Sequence, residues 1–108
     1  TVDQTGILTA YTGLLLNSGG TKITKHLSAT ATLDFDLTAV TVHDLTVTVT
    51  GAAVGDSVSV GVPNGSVTTT VQYSAWVSAA DTVTVRARVA AVGENPASGT
   101  FRVDVWQH

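Results

Sequence analysis

The chain contains no cysteine and no methionine, only two prolines, and just five basic and eight acidic side chains among 108 residues. Without cysteine there can be no disulfide framework, thiol nucleophile or thiolate metal site, and assembly in a reducing cytoplasm is the natural expectation. No apolar run approaches the ~20 residues of a membrane helix. The first residues also lack the charged-then-apolar pattern of a secretory leader. The chain opens on Thr1, which reads either as an initiator Met removed before a small residue or as a fragment boundary. Charged residues make up 12% of the chain, about half the share in an average soluble domain. The net charge is −3, and Arg86, Arg88 and Arg102 are too few to form the basic face that a phosphate backbone requires. Nucleic acid is therefore not an expected partner. So little charge also leaves much of the exterior to Thr and Ser, and it points to burial against other chains in an obligate oligomer.

What the chain does have is alternation. Leu45–Val62 reads LTVTVTGAAVGDSVSVGV, and the same beat returns in Asp81–Val89 and Phe101–Trp106. Side chains on a strand point to opposite faces in turn, so this rhythm specifies sheets with one buried face. Ile23–Phe35 turns Leu27, Ala29, Ala31, Leu33 and Phe35 inward. Leu45, Val47 and Val49 form the next inward set, followed by Val58, Val60 and Val62. Val71, Tyr73, Ala75 and Val77 come next, then Val83, Val85, Ala87 and Val89, and finally Phe101, Val103 and Val105. Gly51 and Gly55 bracket a hairpin connection, and Asn64-Gly65 suits the positive φ of a second tight hairpin. Residues 92–99 (VGENPASG) form a loop, and Ala52–Val54 allows one short turn at most. The prediction is an all-β antiparallel sandwich, jelly-roll or immunoglobulin-like, with six to eight strands. It occupies residues 22–108, a length that supports one core. Residues 1–21 form either an amino-terminal arm and linker, ending in Asn17-Ser18-Gly19-Gly20, or an ordinary first strand. The consecutive Leu14, Leu15 and Leu16 are the arm's candidate docking residues.

Chemical motifs are scarce. His26, His43 and His108 have no metal-ligand spacing, and His43 beside Asp44 reads as a solvated turn pair. Asp34, Asp36 and Asp44 fall short of the oxygen ligands that a calcium loop provides. There is no nucleophile elbow. The connection between Gly51 and Gly55 leads into no helix that could cradle phosphate. Asn64-Gly65-Ser66 matches a glycosylation sequon but reads as a turn. No catalytic residue, metal site or cofactor is expected. The aromatic residues say more, because the alternation that turns Val77 and Val105 inward turns Trp76 and Trp106 outward. Outward indoles suit a subunit interface, with Tyr73 assisting, or a platform for sugar rings. A β-bulge that turns either indole inward is the third possibility.

The phrases SATATLDF (28–35), LTVTVTGAAVGDSVSVG (45–61), VSAADTVTVRARV (77–89) and NPASGTFRV (95–103) together resemble a small β-sandwich domain of tailed-bacteriophage and prophage virion proteins. The likeness runs from about Lys22 to Trp106. It implies a non-enzymatic virion protein, assembled in the host cytoplasm, that forms a homotrimer and decorates a capsid through its amino-terminal arm. The alternative is a receptor- or carbohydrate-binding tip of a tail fibre, meeting a cell-surface glycan. Neither role involves insertion into a membrane.

Overall fold

In the computed structural model, which describes residues 6, 7 and 9–108, six strands form two three-stranded antiparallel sheets. The strands are β1 (Lys25–Leu33), β2 (Val42–Thr48), β3 (Ser57–Gly61), β4 (Gln72–Ala79), β5 (Thr82–Arg88) and β6 (Gly99–Gln107). One sheet runs β1-β6-β3 and the other β2-β5-β4. Val and Thr are the two commonest strand residues, because branching at Cβ favours extended backbone. Their division, Val inward (Val42 apart) and Thr outward, sets which face packs. The inner faces meet around Val47, Val77, Val83, Val85, Phe101, Val103 and Val105, all buried. At one end of this core Phe35, Tyr73 and Phe101 form an aromatic cluster with ring centroids 5.3–5.6 Å apart. Edge-to-face contacts of this kind add to the area they bury.

The connectivity departs from the hairpins expected of the sequence. β2 pairs with β5 and β3 with β6, so the turn around Gly51–Gly55 carries the chain from one sheet to the other. Alternation fixes the face a strand buries but not the partner it pairs with, and two facing sheets satisfy the same beat as a hairpin does. Asn64–Ser66 is likewise a short 3-10 turn between sheets. Neither Asn64 nor Gly65 takes a positive φ. Four of the five connections cross the sandwich, and only β4 and β5 form a hairpin. Strands β2 to β6 thereby follow the B-to-F connectivity of an immunoglobulin sandwich, with β1 beside β6.

The crossing loops are stitched down by specific hydrogen bonds. The Asp81 backbone N–H donates to Ala52 O, its carbonyl accepts from Val49 N, and its carboxylate accepts from Gly51 N at 2.8 Å. The Gln107 amide donates to both Gly51 O and Asp56 Oδ2 at 2.8 Å. Ser66 is buried, with its hydroxyl donating to Ala97 O at 2.6 Å. The serine of the sequon thus serves the turn. Before β1, Leu14 and Ile23 exchange two backbone hydrogen bonds in an isolated bridge.

Candidate functional site

Both tryptophans lie on outer faces, in different settings. On the β2-β5-β4 sheet, Arg86 of the central strand stands opposite Asp44 in one register and Ser74 in the other. Its Nε and Nη2 donate to the two Asp44 carboxylate oxygens at 2.8 and 2.9 Å. This fork-to-fork pairing fixes the plane of the guanidinium, whose central carbon lies 4.8 Å from the centroid of the Trp76 ring. The hydrogen bond from Arg86 holds the Asp44 carboxyl below its ordinary value, and the same bond raises Arg86. Trp76 remains 38% exposed. A β-bulge does occur in β4, but between Val77 and Ala79, beyond the tryptophan. It brings Ser78 to Thr84, whose hydroxyl donates to Ser78 Oγ at 2.6 Å. Thr84 is nearly buried although it faces outward, directly across from Trp76.

On the opposite sheet, Trp106 is half-buried. It pairs across strands with His26, and the two rings stack with centroids 4.2 Å apart. His26 Nε2 also meets Asp104 Oδ1 at 3.0 Å. A cavity of about 270 Å³ lies between this pair and the arm, lined by Ala10, Gly13, Leu14 and Ile23. The arm itself leaves Ile7, Tyr11, Leu14, Leu15 and Leu16 exposed, Tyr11 to 89% and Leu16 to 80%. Tyr73 lies on the other face of β4 from Trp76. Its ring packs on Phe35 and Phe101, and its hydroxyl donates to Ser66 O at 2.7 Å. Burial pushes its phenol upward. Tyr73 therefore belongs to the core cluster and does not share a surface with either tryptophan.

The remaining polar candidates serve local structure. His43 Nδ1 accepts the Asp36 N–H at 2.9 Å, and its ring meets the edge of Phe35. Asp36 caps its own turn by accepting from the Thr38 N–H and hydroxyl, which lowers its carboxyl. Among the described residues, no group of three or more His, Cys, Asp or Glu side chains converges as a metal site would require.

One feature lies outside every candidate drawn from the sequence. A cleft of about 430 Å³ opens at the Arg88 end of the β2-β5-β4 sheet, where Thr41, Thr70, Gln72 and Arg88 line it beside Val42 and the buried Val89. Arg88 and Gln72 stand opposite each other in the β4–β5 register. Among the described residues, neither side chain makes a hydrogen bond or ion pair. Alternation alone puts Arg86 and Arg88 outward. That one is clamped and the other unpaired depends on Asp44, 42 positions earlier, a pairing that only the strand register reveals. No protein-family model, curated protein or solved structure matches this chain.

Proposed function

We propose that this chain is a structural subunit of a tailed-phage virion, a homotrimeric capsid-decoration protein held to the capsid by its amino-terminal arm. The observation that carries this reading is the arm, which presents Ile7, Tyr11, Leu15 and Leu16 to solvent beside a complete, tightly stitched sandwich. Apolar side chains concentrated in this way mark a contact with another molecule. The resemblance of residues 28–35, 45–61, 77–89 and 95–103 to virion sandwich domains supplies the class of that partner. The charge-poor exterior supports self-association, since each contact then desolvates hydroxyls and methyls rather than ions.

The test is co-sedimentation with virions. Full-length protein is expected in the virion pellet and as a trimer in free solution by analytical ultracentrifugation. A Leu15→Asp/Leu16→Asp variant is expected to keep its circular dichroism spectrum and remain in the supernatant, and removal of residues 1–20 should act in the same way. Equal attachment of the charged-arm variant, or a stable monomer at micromolar concentration, would refute the reading.

A further inference from the structure

The outer face of the β2-β5-β4 sheet carries polar groups that the fold leaves unused. Arg88, Gln72 and Thr41 meet in the cleft, and their side chains make no hydrogen bond among the described residues. Together they offer a guanidinium fork, an amide and a hydroxyl. Arg86 two residues away is neutralised by Asp44, whereas Arg88 has no carboxylate partner among the described residues. The concavity continues past Thr70 toward Glu94, where the Thr70 hydroxyl donates to Glu94 Oε1 at 2.9 Å. The concavity is thus bipolar, with the Arg88 cation at one end and the Glu94 carboxylate at the other. Its 430 Å³ lies within the range typical of small-ligand clefts. Along β4, Trp76 stands four residues from Gln72 on the same face, about 13 Å away at the rise of an extended strand.

We propose that this face binds an acidic oligosaccharide. The sugar carboxylate meets the Arg88 fork, ring hydroxyls meet Gln72, Thr41 and Glu94, and a later ring stacks on the indole of Trp76. Charge complementarity selects the carboxylate, because Arg88 is the cation lining the cleft and has no carboxylate partner among the described residues. The sheet face itself selects sugar over peptide. β5, which carries Arg88, is paired on both sides, so an extended peptide could add to this sheet only at its β2 or β4 edge and not across the face that joins Arg88 to Trp76. What remains is side-chain hydroxyl, amide and guanidinium beside an aromatic plane. The Asp44–Arg86 clamp orients that plane before any ligand arrives, which lowers the ordering cost of binding.

The test is calorimetric titration of the full-length protein with sialyllactose against lactose, and with trigalacturonate against neutral galactotriose. The acidic sugars are expected to bind at least about tenfold more tightly, the margin of one charge-assisted hydrogen bond. Arg88→Gln should reduce them to the level of the neutral sugars and leave the fold intact, since the Arg88 side chain makes no hydrogen bond or ion pair among the described residues. Trp76→Ala should weaken acidic and neutral sugars alike, and Trp106→Ala should change neither. Equal affinity for acidic and neutral sugars, no binding of either, or an Arg88→Gln variant that binds as the parent does would each overturn the proposal. So would an Arg88→Gln variant that loses self-association in ultracentrifugation while its sugar binding is unchanged, because the face would then be a contact between copies. The readout uses isolated protein and no virion, so its failure is separable from failure of the arm-docking reading.

Discussion

Asp81 ties the β4–β5 hairpin to the crossing loop with two backbone hydrogen bonds and one from its carboxylate. Its φ of 61° is the one positive value among the described non-glycine residues. Asp and Asn tolerate that conformation better than residues whose side chains offer no local hydrogen bond. The same residue closes the β4–β5 hairpin and anchors the crossing loop through Ala52 O, Val49 N and Gly51 N. Substitution therefore separates two effects. Asp81→Asn keeps both the backbone tolerance and an acceptor for Gly51 N, so it should cost least. Asp81→Gly keeps the conformation but loses the acceptor. Asp81→Ala loses both and should destabilise by about 1–3 kcal/mol. Urea unfolding of the three variants checks the order, and an alanine variant as stable as the asparagine one would contradict it. Nothing in the sequence distinguished Asp81 from the other aspartates, because its importance comes from a loop 30 positions earlier.

The alternation states which face of each strand is inward, and burial follows it from Leu33 and Phe35 through Val83, Val85 and Ala87 to Phe101, Val103 and Val105, with Thr84, across from Trp76, the exception. It could not state that the strands on either side of Gly51–Gly55 belong to different sheets, since both arrangements bury the same valines. The Arg88 cleft was illegible for a related reason: Thr41, Gln72 and Arg88 come from three separate parts of the chain. These elements are tied together in part by carboxylates, and that makes them sensitive to acid. The Ala53 N–H and the Gln107 amide lower Asp56, while Arg86 lowers Asp44. A carboxylate whose folded value lies below the ordinary 3.8 stabilises the fold fully above that value. The contribution disappears as pH falls through the folded value. Stability should therefore hold from neutral pH to about pH 5 and decline below about pH 4. An Asp44→Asn/Asp56→Asn variant should be less stable at neutral pH and show a shallower acid decline. Urea midpoints measured across that range check this, and parallel declines for parent and variant would exclude these two carboxylates as its source.

Across the whole molecule, the crossing connections make the two sheets a single cooperative unit. β5 and β6 are each central in their sheet, paired on both sides. Their inward residues Val83, Val85, Ala87, Phe101, Val103 and Val105 are fully buried. Opening either strand requires separating both of its neighbours and exposing the aromatic cluster, so its amides should exchange only through global unfolding. The arm lies at the other extreme. Leu14 and Ile23 form an isolated bridge, and the residues around it are exposed. Amide hydrogen exchange should therefore rank β5 and β6 slowest, the edge strands β1 to β4 intermediate and residues 10–22 fastest in the free protein. Attachment to a partner through the arm would slow residues 10–22 selectively and leave β5 and β6 unchanged, because those amides already exchange at the limit set by global stability. Occupation of the Arg88 face by sugar would leave the arm as it was, so one exchange experiment distinguishes the two surfaces. Protection of residues 10–22 equal to that of β5 in the free protein would contradict this ranking. The arm would then be closed against the sandwich and its leucines withheld from any partner.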